Sequence, residues 1–332
     1  MVMAKAWVIG KTFDGAPTES NFRLIEEDVP APKQGEFACE ALYLSVNPYE
    51  RRSSDTAPVG SPLMGYQVAR VTESKNSEYP VGTVLQLYCG WRTRSLINTK
   101  EIPKVVKMTK LPDFGGKEPS LALGVLGIPG VTAYLGLLDV CEPKAGETVL
   151  VSGSGGALGS VVGQIAKIKG CKVIGIVGSN KKCDWLKSLG FDHVFNYREA
   201  KVDDALKSAA PNGVDCFFDN VGGELSYRVL QHMNNFGRVN VCGAMSSYNY
   251  GDKQPLIPSP FIACMCKRLK IQGFSVLDHA DKFEESRTQI LKWINEGKVK
   301  YREEVQHGFE KMPHAFLTAL KGNVAGKIIV KV

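Results

Sequence analysis

Residues 149–167 read VLVSGSGGALGSVVGQIAK. Three apolar residues run into a loop that holds Gly153, Gly155, Gly156 and Gly159, and a stretch of helical character follows. Glycines spaced G-x-x-G-x-x-G between a strand and a helix form a variant of the dinucleotide fingerprint. They permit a tight turn, close approach of the backbone to a pyrophosphate, and close packing of the helix. The helix start adds free N–H groups and the positive end of a helix dipole. Competing motifs fail on spacing. A P-loop needs Gly-Lys-Ser/Thr at its end, and here Gly159 is followed by Ser160 and Val161. A nucleophile elbow around Ser154 needs glycine where the chain has Ser152. Gly153, Gly155, Gly156, Ala157, Leu158 and Gly159 are therefore the expected loop contacts of a dinucleotide.

The sequence on either side sets the fold class. After the loop come the apolar runs KVIGIVG, HVFN, VDCFFDN, GRVNVCG and LKIQGFS, separated by helical stretches such as NKKCDWLKSLG and GELSYRVLQHM and closed by the amphipathic DKFEESRTQILKWINEG. Strands alternating with helices imply βαβ units and a parallel sheet. The fold class expected is α/β: a Rossmann-type doubly wound parallel sheet over residues 126–298. Residues 1–125 hold short alternating runs, FRLIEEDVP, EFACEALYLSVNP, YQVARVTES and GTVLQLY, which predict a mostly β domain. Residues 118–139 read as helical but broken at Ile128-Pro129-Gly130. The final GKIIVKV is strand-like and cannot extend the alternation, so residues 299–332 are expected to return to the first domain.

The strand VIGIV (173–177) should end beside the adenosine ribose. An acid there would bond the ribose 2′-OH of NAD and repel the 2′-phosphate of NADP. The chain offers Gly178, Ser179, Asn180, Lys181 and Lys182 instead. The missing acid points to NADPH, held through Lys182 and Ser179. A second signal is DNVGG (219–223), which closes an apolar strand and opens a helix. It places Asn220 at the carboxyl edge of the sheet, where such folds bind ligands; a cap-and-turn role fits the same residues.

Composition narrows the class further. The chain has 332 residues, 44% hydrophobic and 23% charged, enough for about two domains of ~150 residues. The net charge of +7 is scattered, without the clustered footprint of a nucleic-acid arm. No secretory h-region opens the chain. Two uncharged stretches of 19 residues, Ser120–Leu138 and Thr148–Ala166, carry glycine and proline interruptions and read as buried pieces, so no membrane association is expected. Nine cysteines lack any C-x-x-C pair, and five histidines are dispersed. They read as free thiols in a reducing compartment, with no metal set.

Several stretches resemble one family over nearly the full length: LYLSVNPYERR, GIPGVTAYLGLLDVC, GSVVGQIAKIKGCKV, LGFDHVFNYR, CFFDNVGGE, FGRVNVCGAMSSYN and LKGNVAGKIIVKV. The chain resembles the zinc-independent medium-chain dehydrogenases/reductases, and within them the prostaglandin reductases. These are NADPH-dependent alkenal/one reductases, also described as leukotriene B4 12-hydroxydehydrogenases. The resemblance implies that the mostly β domain, residues 1–125 completed by 299–332, is the substrate domain, that residues 126–298 bind the cofactor, and that a cytoplasmic homodimer reduces the C=C bond of α,β-unsaturated aldehydes and ketones, 15-oxo-prostaglandins and other oxidised lipids among them. It implies that Lys182 meets the 2′-phosphate, that Tyr197 contacts the cofactor, and that Asn220 lies at the nicotinamide, with Cys242 and Gly243 as further cofactor contacts. It also implies that Tyr49 and Tyr248 line the substrate cleft, with Arg51 beside them. The chain departs from the family pattern at Asn47, where Asp is usual, at Glu50, where an apolar residue is usual, and at Val324, where Asn is usual. Zinc-dependent relatives carry Gly-His-Glu where this chain has Gly65-Tyr66-Gln67, and a four-cysteine lobe that it lacks.

Without a metal, another group must polarise the substrate carbonyl. Hydride addition to the β-carbon develops negative charge on the carbonyl oxygen, and a donor aimed at that oxygen is worth ~3 to 4 kcal/mol. The candidates are the Tyr248 hydroxyl and a cofactor ribose hydroxyl; the α-carbon proton comes from Tyr49 or water. Arg51 or Arg52 is a candidate for a substrate carboxylate. Two rivals share much of this pattern: an NADPH quinone oxidoreductase, and an NADPH-binding, RNA-associated protein without reductase activity.

Overall fold

A computed structural model describes residues 2–101, 108–251 and 253–332. The chain forms two compact units: Met1–Gly124 with Glu303–Asn323 and Ile328–Val332, and Val125–Arg302 with Val324–Lys327.

The amino-terminal part of the first unit contains β1 (Val2–Ile9), β2 (Phe22–Val29), β3 (Glu36–Ser45), the short helix α1 (Tyr49–Ser53), β4 (Tyr66–Ser74), β5 (Val84–Tyr88), β6 (Arg94–Asn98) and β7 (Thr109–Lys110). β1 and β2 pair antiparallel from Val2↔Val29 to Ile9↔Phe22. The hydrophobic positions of the alternating runs meet in one core: Phe37 and Cys39 of β3, Ala69 and Val71 of β4, Leu85 and Leu87 of β5, and Ile97 of β6. Truncating Phe37 to alanine in such a core costs about 3–5 kcal/mol.

The second unit opens with α2 (Ile128–Leu135), which continues into one π-helical stretch, Gly136–Cys141. Here the structure corrects the sequence reading. Ile128-Pro129-Gly130 starts a helix instead of breaking one, because proline in the first helical turn forfeits an N–H that has no acceptor there. There follow β8 (Thr148–Ser152), α3 (Gly159–Ile168), β9 (Lys172–Val177), α4 (Asn180–Ser188), β10 (His193–Asn196), α5 (Val202–Ala209), β11 (Val214–Asp219), α6 (Gly223–Gln231), β12 (Met233–Val241), α7 (Phe261–Lys267), β13 (Lys270–Gly273) and α8 (Phe283–Asn295). The six strands are parallel and lie in the order β10-β9-β8-β11-β12-β13. By order of appearance that is 3-2-1-4-5-6, the doubly wound arrangement of dinucleotide-binding sheets. All five residues of β8 are buried, as both faces of a central parallel strand must be. The core beneath the sheet gathers Leu150, Ile174, Ile176, Phe217, Val229 and Val239.

The chain then adds β14 (Glu303–His307), α9 (Met312–Leu320) and β15 (Lys327–Lys331). These strands extend a seven-stranded sheet of order β14-β15-β3-β4-β5-β7, with β15 antiparallel to the end of β3 and β6 antiparallel to its beginning, both on the edge of β3 opposite β4. Phe316 of α9 packs edge-on against Trp91, ring centroids 5.5 Å apart. Among the described residues, no helix is long and apolar enough to cross a membrane.

Candidate active site

Strand order reverses between β8 and β11, so the loops that leave these two strands flank the switch point, where doubly wound sheets bind ligands. A buried network ties the two loops together. Ser152 Oγ donates to Asp219 Oδ1 at 2.7 Å and accepts from the Asn220 N–H at 2.9 Å. Asn220 Nδ2 donates to the Ser152 carbonyl at 2.8 Å. Asp219 Oδ1 also accepts from the N–H groups of Val221 and Gly222. DNVGG is thus both a turn and a site element: Asp219 makes the turn, and Asn220 is pinned at the sheet edge. Ser152 is a structural hub that the sequence reading used only to exclude an elbow.

The glycine loop fits a pyrophosphate. Gly153 has φ +60°, a left-handed conformation costly for other residues. A side chain on Gly159 would lie 2.6 Å from Ser154 Cα, and one on Gly163 would enter the Phe191 ring at 1.9 Å, so α3 packs onto the loop and sheet only because these residues are glycine. The first described bonds of α3 are Ser160 N–H to Gly156 O and Val161 and Val162 N–H to Leu158 O. The amides of Leu158 and Gly159 have no acceptor among the described residues, which leaves them open to a phosphate at the helix start. The Gly326 N–H donates to Gly155 O at 3.0 Å, so the segment carrying Val324 is anchored to the glycine loop by its backbone.

At the end of β9, Ser179 is the N-cap of α4, yet its hydroxyl makes no capping bond. Lys182 is only 8% exposed, and its stem lies across the loop: a Cβ on Gly155 would meet Lys182 Cδ at 2.7 Å. Burial first, and then the charge of Arg198, push the Lys182 ammonium down to about 8. Tyr197 follows β10, is half open to solvent, and lies against Gly178.

The loop after β12 is bonded to the loop after β11. Cys242 and Gly243 N–H donate to Asp219 O, Met245 N–H to Asn220 O, and Ser246 N–H to Val221 O. Tyr248 Oη accepts from the Ala244 N–H at 3.4 Å, and a side chain on Gly243 would lie 3.3 Å from that oxygen and 3.0 Å from Asn220 O. Asn220, Cys242, Gly243 and Tyr248 therefore converge at one edge of the sheet. Burial, together with the neighbouring Asp219 and Cys141, pushes the Cys242 thiol up to about 12. Burial also raises the Tyr248 phenol, against a smaller lowering by the Ala244 N–H. Both groups stay protonated at neutral pH.

In the first unit, Tyr49 opens α1 with 37% of its surface exposed. Burial, then Glu50, Tyr66 and Tyr88, raise its phenol well above the ordinary value. Tyr66 and Tyr88 rings lie 4.9 Å apart. Two of the three departures from the family pattern form one pair, since Asn47 Nδ2 donates to Glu50 Oε1 at 2.8 Å. Arg51 is 1% exposed, paired with Asp55, bonded to Gly15 O, and 5.0 Å from the Phe13 ring centre. Asp55 is shared with Arg52, and these contacts anchor α1. At the Gly65-Tyr66-Gln67 position, Gln67 Nε2 donates to Cys89 Sγ and to Gly90 O. Among the described residues no group of three or more His, Cys, Asp or Glu is placed to hold a metal.

Fold and switch-point chemistry define a dinucleotide-binding α/β protein. The sequence model of a family described as zinc-binding dehydrogenase matches residues 157–296, and that of the N-terminal domain of oxidoreductase matches residues 5–105. The chain is 48% identical to prostaglandin reductase 1 of Rattus norvegicus, covering 100% of both chains. It is 36% identical to the NADPH-dependent curcumin reductase of Escherichia coli, over 99% of this chain and 96% of that one. CurA from Vibrio vulnificus, solved in complex with NADPH, superposes with a TM-score of 0.90 at 38% identity, covering 99% of each chain. The chain belongs to the medium-chain dehydrogenase/reductase family, in its prostaglandin reductase branch.

Proposed function

We propose that the chain is an NADPH-dependent, zinc-independent reductase of the C=C bond of α,β-unsaturated ketones and aldehydes, oxidised lipids such as 15-oxo-prostaglandins included. The observation that carries this reading is the joint presence, in one unit, of the glycine loop, the Lys182 corner, where the end of β9 carries no acid of its own, and the Asn220–Tyr248 edge. The prostaglandin and curcumin reductases, alike over the whole chain, support it.

NADPH, when bound, supplies the hydride for the substrate β-carbon. The chain's own residues do the rest. The amides of Leu158 and Gly159, beside Ala157 and with the close approach allowed by Gly153, Gly155 and Gly156, would hold the pyrophosphate. Ser179, Lys182 and Tyr197 would hold the adenosine end, and Asn220, Cys242 and Gly243 would border the nicotinamide. Tyr248 accepts a backbone N–H, so its own proton is left to donate to the carbonyl oxygen as negative charge grows there. Tyr49, kept protonated by its surroundings, supplies the α-carbon proton. Loss of NADPH absorbance with a simple enone, run beside NADH and beside a quinone, is the test. Failure of NADPH oxidation with every enone and enal tried would overturn the assignment.

We also place the protein in the cytoplasm, which the nine free cysteines suit, and propose a homodimer. All four residues of the edge strand β13 are exposed. Phe261 (76%) and Met265 (71%) of α7 and Ile271 of β13 present large apolar surface. An unpaired strand edge flanked by apolar side chains suits a second copy. Ile271→Lys with Met265→Glu should give a monomer by light scattering; an unchanged mass would refute the interface.

A further inference from the structure

The end of β9 carries more positive charge than Lys182 alone. β10 pairs with β9 in a register that sets Asn196 opposite Val177, so the residues after β10 run beside the residues after β9. The Tyr197 N–H donates to Val177 O at 3.0 Å and fixes this alignment. A side chain on Gly178 would lie 3.4 and 3.5 Å from Nε and Cζ of Arg198, so the guanidinium lies over the Gly178 backbone, next to Ser179. We propose that Arg198 is a specificity-determining residue for the cofactor: with Lys182 Nζ and Ser179 Oγ it forms a two-cation clamp on the 2′-phosphate of NADPH.

Three observations converge on this role. Arg198 has no carboxylate within ion-pair reach among the described residues. The acid beside it in sequence, Glu199, is occupied by Asn180 Nδ2 at 3.1 and 3.0 Å. The first turn of α4 holds Lys181 and Lys182 and no acid, against the preference of a helix start for negative charge. The N-cap hydroxyl of Ser179 is not used by its helix. Cations gathered at the wrong end of a helix repel each other until an anion sits among them. A phosphate of nearly two negative charges reverses the sign of each term, and a guanidinium fork meets its oxygens in pairs.

The role rests on the NADPH reading, and the experiment separates the two. NADPH, NADH, adenosine 2′-phosphate and adenosine are titrated into the full chain and its variants by fluorescence or calorimetry. Arg198→Gln should weaken NADPH and adenosine 2′-phosphate about five- to tenfold, as expected for a solvent-facing charged pair with bidentate geometry. NADH and adenosine should be unchanged, and Arg198→Lys should recover part of the loss. The salt dependence of NADPH binding should become shallower in Arg198→Gln. Equal losses for NADPH and NADH would mean that Arg198 stacks on the adenine, and would overturn the proposal. An NADPH affinity unchanged in Arg198→Gln while Lys182→Ala costs tenfold or more would remove Arg198 alone. Silence of both variants would overturn the NADPH reading itself. Arg198 is exposed, so melting temperatures of the free Arg198 variants should match the parent and exclude misfolding.

Discussion

Raising the pH should weaken NADPH binding and leave NADH binding alone. The cause is Lys182, whose ammonium is pushed down to about 8, first by burial and then by Arg198. For such a group roughly nine-tenths is protonated at about pH 7 and roughly one-tenth at about pH 9. The 2′-phosphate is already roughly nine-tenths doubly ionised at about pH 7 and almost wholly so above about pH 8, because its second pKa is about 6. In the complex the phosphate charge holds the lysine protonated, so the pKa in the complex lies above that of the free protein. Binding therefore takes up a proton. Affinity is complete below about 8 and falls as the pH rises past it, by about tenfold between pH 7 and 9, or about 1.4 kcal/mol.

The assay is a fluorescence titration of NADPH and NADH at fixed ionic strength over that range. Lys182→Arg is the control: a guanidinium keeps its proton throughout, so the variant should bind NADPH with little dependence on pH. A flat NADPH affinity in the parent chain, or a parallel fall for NADH, would refute the reasoning, because only the first ligand carries the phosphate that senses the lysine.

Lys182→Met should stabilise the free protein. Depression from 10.5 to about 8 corresponds to an unfavourable burial of about 3 kcal/mol below pH 8, relieved as the pH rises toward 10.5. A melting temperature higher by several degrees, with loss of NADPH preference, is the expected pair of results. Ser152→Ala should destabilise by about 1–3 kcal/mol, since the Asn220 N–H loses its buried acceptor and Asp219 a donor; calorimetry of the free protein reads it. Tyr248→Phe should lower kcat about a hundredfold or more with NADPH affinity unchanged; an unaltered kcat would hand carbonyl polarisation to another donor.

How far the sequence discloses this molecule depends on which interactions leave a linear trace. β8, β9 and β11 are legible as TVLVS, KVIGIV and VDCFFD because strands buried on both faces become continuous apolar runs. The break expected at Ile128-Pro129-Gly130 was a helix start, since the same residues punctuate both ends of helices and only the partners of the first turn decide between them. The glycine loop was legible because its demands are local: Gly153 needs its own left-handed backbone, and what Gly159 must avoid, Ser154 and Gly153, lies within the loop itself. Lys182 could be found through an absence, the missing acid at the end of its strand. Arg198 had no such trace. It becomes a neighbour of Gly178 only because β10 lies beside β9 with Asn196 opposite Val177, and neither strand's pattern states which parallel neighbour it takes or in what register. The buried Ser152–Asp219–Asn220 network was hidden for the same reason, because it joins strands that are adjacent only at the reversal of strand order. A sequence therefore reveals the half of a doubly wound site that lies along one strand–loop–helix unit. The other half is set by strand order, and cofactor choice in this chain belongs to both.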